Sequence, residues 1–294
     1  MIIIVAGLKG KTGTTSRRLG RRLREMGFDA YGTSVRWGKS ILGRLHRERG
    51  FRHPRDGTPV LLLRWGCTSP YSVRYDFDNL IDVQSPAAIG LAANKPRARQ
   101  FLADHGVSVP PTLLLPQPVD VLVERLGLPL IVRKPNHQGG RGFYFCETSE
   151  EVASACRQAG RGYAMSYIPK DREYRIHVGW TNAQHDDSPD MIFVQRKVVV
   201  DEDEWDRDSK VWNFAAGYRF HSRKPWRIPS VVLQTGIKAI DVLGLTYGAA
   251  DVMYVEDTDT AYVSEVNTGP GLKIEISQDA YLNLFKQIIE REGD

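Results

Sequence analysis

The chain opens on an unbroken apolar run, Ile2-Ile3-Ile4-Val5-Ala6. A continuous rather than alternating run predicts a strand buried on both faces, over residues 2–6. A Gly/Lys/Thr loop at 7–13 follows. The pattern then predicts a helix from about Thr14 to Met26, capped by a threonine and closed by Gly27. A second buried strand is predicted at 60–64, Val60-Leu61-Leu62-Leu63-Arg64, while residues 34–58, basic and rich in glycine, predict no ordered element. Ser85-Pro86 reads as a helix N-cap with proline at the first helical position. Asn94 starts a second helix that runs to about His105 and ends in the stretch Gly106 to Pro111. Strands are predicted at 112–115 and 129–134 with a short helix at 118–126 between them, then a strand at 143–146 and a helix opening at Thr148-Ser149-Glu150-Glu151. Residues 163–200 are strand-rich, at 163–168, 173–178 and 191–200. An acidic break at 201–208 reads as an exposed loop. A helix at 229–243, strands at 246–255 and 260–267, and a helix at 278–292 close the chain.

Strand, loop and helix in that opening order mark an α/β lobe. The succession predicts three lobes: an N-terminal α/β lobe over 1–90, a small α+β lobe over 91–165, and a larger strand-rich lobe over 166–294. A ligand is expected between the last two.

Composition narrows the class. The chain has 294 residues, 41% hydrophobic and 26% charged, as in an ordinary soluble globular protein. No apolar run approaches the roughly 20 residues that span a bilayer, and the start lacks the basic segment of a signal peptide, so no membrane partner is expected. Cys67, Cys146 and Cys156 have no CxxC spacing, which argues for a reducing, cytoplasmic setting and against a zinc site. There is no internal repeat, and a homo-oligomer stays open. Net charge is +5 but uneven, with 14 Lys+Arg against 4 Asp+Glu in residues 1–60. Such a lobe would attract an anionic partner. The alternative is a solvated helix face, since Arg17, Arg18, Arg21, Arg22 and Arg24 surround one predicted helix. Nucleic acid is the less favoured partner, because the aromatic interleaving of a single-strand groove is sparse.

Candidate chemistry concentrates in the C-terminal third. Glu265 and Asn267 stand at i and i+2 on a predicted strand and share a face. Asp251 can lie beside them on the neighbouring strand, across the turn Glu256-Asp257-Thr258-Asp259. Two carboxylates and an amide oxygen are the hard ligands that Mg²⁺ prefers. The alternative is three polar residues facing solvent on a half-exposed sheet. Upstream, Lys134 at a strand end and the glycines Gly139, Gly140 and Gly142 could meet phosphate through a point charge and close backbone N–H groups; a surface lysine is the plainer reading. Gly10-Lys11-Thr12 resembles the end of a phosphate loop, but Val5 stands where its first glycine belongs. Lys11 and Thr12 at a helix N-terminus could instead hold an anionic substrate group, or form an ordinary turn.

Asn94-Lys95, Val132-Arg133-Lys134-Pro135 with its glycine loop, Glu173-Tyr174-Arg175, Asp251, and Glu265-Val266-Asn267-Thr268-Gly269-Pro270-Gly271 occur in the order of the ATP-grasp superfamily. The chain resembles that superfamily over roughly residues 85–290, and within it the ribosomal-protein glutamate-adding ligases and the D-alanine–D-alanine ligases. The resemblance implies a mixed α/β and α+β fold, with a Rossmann-like pre-ATP-grasp lobe and ATP held between two α+β lobes. It implies that Lys95 and Lys134 hold ATP phosphates, that Ser166, Tyr167 and Ile168 form the hinge that meets adenine, and that Glu173 binds the ribose hydroxyls. Asp251, Glu265 and Asn267 would ligate one or two Mg²⁺, with Mn²⁺ as an alternative. Arg196 would face the transferred phosphate, and Asn213, Gly271 and Lys273 would lie near the substrate. The implied activity is ATP-dependent ligation of an amino-acid or peptide carboxylate to an amine through an acyl phosphate, and the basic N-terminal lobe favours an acidic substrate. The alternatives are a small-molecule kinase and a non-catalytic nucleotide- or nucleic-acid-binding module. The chain departs from the D-alanine ligases in having Ala249 where they carry an arginine. Neither group matches the acidic insert around Asp203 or the run Val211-Trp212-Asn213-Phe214.

Overall fold

The computed structural model describes residues 1–8, 10–35, 45, 50–52, 55, 57–67, 77, 79–134, 142–185, 187–200, 202–203, 205–206, 208–222 and 227–293. Three sheets follow one another along the chain. The first has the order β2-β1-β3-β4, with β1 (Ile2–Leu8), β2 (Ala30–Val35), β3 (Val60–Trp65) and β4 (Leu80–Asp82) all parallel. The apolar runs that predicted β1 and β3 are its two central strands, buried on both faces as a parallel sheet requires. Ile3, Val5, Leu61 and Leu63 face helix α1 (Lys11–Glu25) and the closing helix, while Ile2, Ile4 and Leu62 pack on Tyr31 and Val35.

Helix α1 begins three residues earlier than expected. Its N-cap is Gly10 at φ 117°, without a side-chain cap, so the threonine cap is not used. Positive φ costs a glycine little and lets the strand turn straight into the helix. Gly20 then lets α1 lie directly on β2: a Cβ there would stand 2.2 Å from the backbone nitrogen of Gly32. Arginines of this basic helix serve the fold. Arg18 donates to the Leu272 carbonyl (3.3 Å), Arg22 pairs with Asp279 (2.9 Å), and Arg24 donates to the Ala30 carbonyl; Arg17 and Arg21 are exposed.

Two capped helices lead out of this sheet. In α2 (Pro86–Ala93) the Ser85 hydroxyl accepts from the Ala88 N–H, and in α3 (Lys95–Asp104) the Asn94 side chain accepts from the Arg97 N–H. The second sheet has the order β5-β8-β6-β7, from β5 (Thr112–Leu114), β6 (Leu130–Arg133), β7 (Phe143–Cys146) and β8 (Tyr163–Ser166). All its pairings are antiparallel. Helices α4 (Val119–Leu126) and α5 (Ser149–Ala159) cover one face, and Thr148 and Glu151 form the capping box that the sequence announces at the start of α5.

The third sheet, order β11-β10-β9-β12-β13, is antiparallel throughout. It consists of β9 (Arg172–Gly179), β10 (Asp190–Val199), β11 (Tyr218–His221), β12 (Tyr247–Val255) and β13 (Thr260–Asn267). Helix α6 (Ser230–Val242) packs on one face through Val232, Ala239 and Ile240, against Ile176, Ala250 and Val252. Helix α7 (Glu275–Gly293) returns to the first sheet, where Tyr281, Phe285 and Ile288 meet Trp65 and Leu63. Strands β2, β4 and β11 are absent from the sequence reading. Each is short or interrupted by polar residues, and each gains its place from pairing with a neighbour.

Candidate active site

The second and third sheets turn their helix-free faces toward one cleft. Side chains alternate along each strand, so the helix-packed residues select which neighbours face the opening. On β6, Val132 lies under the helices, which sends Ile131 and Arg133 into the cleft; on β9, Tyr174 and Ile176 lie under α6, which sends Glu173 and Arg175 to the opposite face. The approach of β8 to β6 depends on Gly162, where a Cβ would stand 2.0 Å from the Arg133 carbonyl oxygen. The floor is apolar, with Ile131, Phe143, Met165 and Met253 among its residues. Around it stand six cations, Lys95, Arg99, Arg133, Lys170, Lys197 and Lys210, against three carboxylates, Glu173, Asp251 and Glu265. That surplus favours an anionic ligand.

Each carboxylate is held by cations. Glu265 on β13 pairs with Lys95, the first residue of α3, and accepts from the Asn267 amide at 3.3 Å. Burial alone would raise its carboxyl, but Lys95 and Arg175 bring it down to about 2. Asp251 stands directly opposite Glu265 in the β12–β13 register. Both its oxygens accept from Arg175, Nε at 2.6 Å and Nη2 at 2.7 Å. Burial would lower the Arg175 guanidinium, and Asp251 reverses this and holds it above its ordinary value. At Asp251 itself burial prevails over Arg175 and raises the carboxyl. Glu173 bridges Lys170 and Lys197, and these two overcome its burial to bring it to about 2. Arg99, one turn along α3 from Lys95, donates to the Ser264 carbonyl at 2.7 Å and stacks on Tyr163, so α3 grips β13 twice. Burial lowers the Arg133 guanidinium, and Arg99 adds to the effect.

The structure brings Lys95, Tyr167, Ile168, Glu173, Asp251 and Glu265 around this cleft, with Asn267 two residues along from Glu265. Other expected residues lie elsewhere. Lys134 follows β6 with an exposed side chain, packed against Gly142 rather than in the cleft; Arg133 is the cation that lines it. Gly142 is described, at φ 61°, with its carbonyl accepting from the Lys134 N–H, while Gly139 and Gly140 lie outside the described residues. Ser166 turns its hydroxyl away, to the Leu126 carbonyl at 2.8 Å. Arg196 pairs with Tyr174 on the helix-packed face, opposite the cleft, and its neighbour Lys197 occupies the cleft side. Asn213 caps a turn by accepting from the Ala216 N–H.

Thr12, Gly271 and Lys273 lie along the seam between the first and third sheets. The Thr12 methyl borders Gly66, whose N–H donates to the Thr268 carbonyl, and Arg18 bonds Leu272 between the exposed Gly271 and Lys273. The Lys11 side chain lies outside the described part. Sequence reasoning missed Arg99, Arg133, Lys170, Arg175, Lys197 and Lys210. For Arg133 a signal existed, since Val132 in a helix-covered strand puts residue 133 on the open face. Choosing Lys197 over Arg196 needed the strand register. Among the described residues no group of three His, Cys, Asp or Glu side chains converges as a metal cluster. The oxygen donors at hand are Asp251, Glu265 and Asn267. No described helix is long and apolar enough to cross a membrane.

No family model matches the chain. A probable alpha-L-glutamate ligase of Thioalkalivibrio sulfidiphilus is 26% identical over 204 residues, 68% of this chain and 63% of its own length. A D-alanine–D-alanine ligase of Polynucleobacter asymbioticus is 30% identical over 193 residues, 63% of this chain and 55% of its own length. The match thus spans less than two thirds of both relatives. Among solved structures, the D-alanine–D-alanine ligase from Bacillus anthracis complexed with ATP superposes with a TM-score of 0.62 at 17% identity, over 99% of this chain and 96% of that one.

Proposed function

We propose that this chain, a member of the ATP-grasp superfamily, is an ATP-dependent carboxylate–amine ligase. The observation that carries the reading is the cleft itself: an apolar floor, six cations, and Asp251 and Glu265 opposed in register at one end. It has the chemistry of a nucleotide triphosphate site, and the relatives named glutamate ligase and D-alanine ligase supply the reaction class. In this proposal the lobes 1–90, 91–165 and 166–294 are the working units, with ATP between the second and third.

Ile131, Phe143, Met165, Tyr167 and Ile168 would take the adenine. Lys95, Arg133, Lys170 and Lys197 would neutralise the phosphates, and Arg175 would lie beside the transferred one. A substrate carboxylate oxygen attacks the γ-phosphorus, the bond to the bridging oxygen breaks, and ADP leaves. An amine nitrogen then attacks the acyl carbon of the acyl phosphate, the carbon–oxygen bond breaks, phosphate leaves, and the amine gives up a proton. The chain's contribution is positioning and fixed charge. Asp251, Glu265 and the Asn267 oxygen fit Mg²⁺, being hard donors on one face of adjacent strands. When bound, the ion would supply charge neutralisation on phosphate oxygens.

The acid, the amine and a cytoplasmic site of action belong to the same proposal. Phosphate release measured over pooled amino acids and cell extract, with mass spectrometry of the products, tests it. Amine-dependent release of ADP and phosphate with a new amide is the expected result. A stable phosphorylated product would establish a kinase instead, and absence of ATP turnover with salt-sensitive nucleic-acid binding would establish a binding module.

A further inference from the structure

Strand β13 carries an irregularity beside its candidate ion ligand. Its pairing with β12 passes from Val252–Val263 directly to Asp251–Glu265, so Ser264 is an extra residue without a partner in that ladder, a β-bulge. The bulge changes which way the strand faces. Regular alternation would put Val263 and Glu265 on the same side. Instead Ala261, Val263 and Val266 lie in the core under α6, while Ser264 and Glu265 both line the cleft with Asp251. Glu265 faces the opening because Ser264 stays out of the ladder.

Helix α3 and the connector after it hold the bulge from outside. Strand β13 is the edge of its sheet, and two of its edge groups are taken there. The Val263 N–H donates to the Ser108 carbonyl at 2.9 Å, and the Ser264 carbonyl accepts twice from Arg99, from Nη2 at 2.7 Å and from Nε at 3.2 Å. From the other side the Ser264 hydroxyl donates to the Asp251 carbonyl at 3.1 Å. Arg99 is 6% exposed and lies over the Tyr163 ring. Its Nη1 is buried without a hydrogen-bond partner among the described residues, a cost that an apolar side chain in the same place would not carry. Lys95, one turn earlier on the helix, holds the Glu265 carboxylate itself. A bound cation competes with that lysine for the carboxylate oxygens. The Arg99 bonds go to main chain and remain.

We propose that Arg99 is a positioning residue: it pins the Ser264 bulge and so fixes the face on which Glu265 and Asn267 present their oxygens to a divalent cation. The inference rests on the reading of the cleft as a Mg-ATP site. Without the clamp Ser264 is free to enter the ladder, and a slip of one residue turns the side chains that follow to the opposite face.

Calorimetric titration of ATP into the full chain, with Mg²⁺ and with a chelator in its place, tests this in the wild type, Arg99→Lys and Arg99→Met. Lysine keeps the charge and methionine keeps an apolar stem over Tyr163, but neither supplies the two-pronged donor. The readout is the factor by which Mg²⁺ strengthens ATP binding, roughly 5–150-fold in the wild type. We expect both variants to lose most of this factor, while ATP without the ion binds Arg99→Lys within about threefold of wild type. If Arg99→Met fails to fold, Arg99→Lys decides alone. A purely structural role would lower the urea midpoint and leave the factor unchanged in the folded protein. A wild-type factor in either folded variant would therefore overturn the inference. So would a loss of ion-free ATP affinity in Arg99→Lys as large as the loss measured with Mg²⁺, because Arg99 would then act on the nucleotide itself. A wild type that binds ATP without responding to Mg²⁺ would overturn the ion site and this inference together, and a wild type that binds no ATP would overturn the ligase reading as well.

Discussion

Arg133 and Lys134 are adjacent basic residues at the end of β6, and only one of them should matter to the nucleotide. Arg133 shares the cleft face with Ile131 and stands near Arg99, which together with burial lowers its guanidinium. A phosphate group brought beside it supplies the counter-charge that this crowded pair wants. Truncation in Arg133→Ala removes a charge-assisted contact of about 1.5–3 kcal/mol. At about 1.4 kcal/mol per tenfold, this weakens ATP by roughly 10–150-fold. Lys134 is exposed and lies against Gly142. An exposed charge contributes about 0–1 kcal/mol, so Lys134→Ala should weaken ATP less than about fivefold. Calorimetric titration of Mg-ATP into both variants at fixed ionic strength reads the difference directly. An Arg133→Ala protein that binds within about threefold of wild type, or a Lys134→Ala protein that is the more damaged of the two, would refute the assignment of facing sides on β6.

Three further outcomes are expected. Glu265→Gln removes the carboxylate opposed to Asp251. Mg²⁺ should strengthen ATP binding to the wild type by roughly 5–150-fold, the usual range of such coupling, and should leave the variant nearly indifferent; an equal gain in both proteins would exclude Glu265 as a ligand. In Gly269→Ala the new Cβ would meet the Gly66 nitrogen at 2.7 Å and the Trp65 carbonyl carbon at 2.9 Å. Overpacking of this kind costs about 1–3 kcal/mol, readable as a lower denaturant midpoint, and an unaltered midpoint would show that the seam yields freely. His177 is fully buried between Tyr281 and Gln195, and burial, with Arg175 adding to it, depresses its imidazole to about 3. Between that value and about 6.5 the unfolded chain binds the extra proton. Stability from this group should therefore fall as pH drops through that window, by about 1.4 kcal/mol per pH unit. Urea midpoints measured from pH 6.5 downward should fall less steeply in His177→Gln than in wild type, and parallel slopes would contradict the shift.

Glu173 and Glu265 act in the same direction as His177 on acidification, but at lower pH. Their folded carboxyls titrate near 2, below the ordinary carboxylate range. The stability they contribute is complete above about pH 4.5 and is lost only as pH falls toward 2.

Much of this molecule was legible in its sequence because the deciding interactions are local. The apolar runs at 2–6 and 60–64 predicted buried strands, the Ser85, Asn94 and Thr148 caps are bonded within one helical turn, and Glu265 and Asn267 share a face because strand side chains alternate. Even Asp251 could be placed beside Glu265, since a short turn joins their strands. What remained hidden depends on partners distant in the chain. Which of Arg196 and Lys197 meets the cleft is set by the register of β10 on β9, and a shift of one residue would exchange them. The choice between Arg133 and Lys134 follows from which side of β6 the helices cover. The pairing of Glu173 with Lys197, and of Asp251 with Arg175, joins residues 24 and 76 positions apart. Local pattern determined the elements and the kind of chemistry this chain carries. Only the packing of sheet against helix decided which charges face one another, because a side chain's neighbours across a sheet are fixed by register and layering and not by sequence distance.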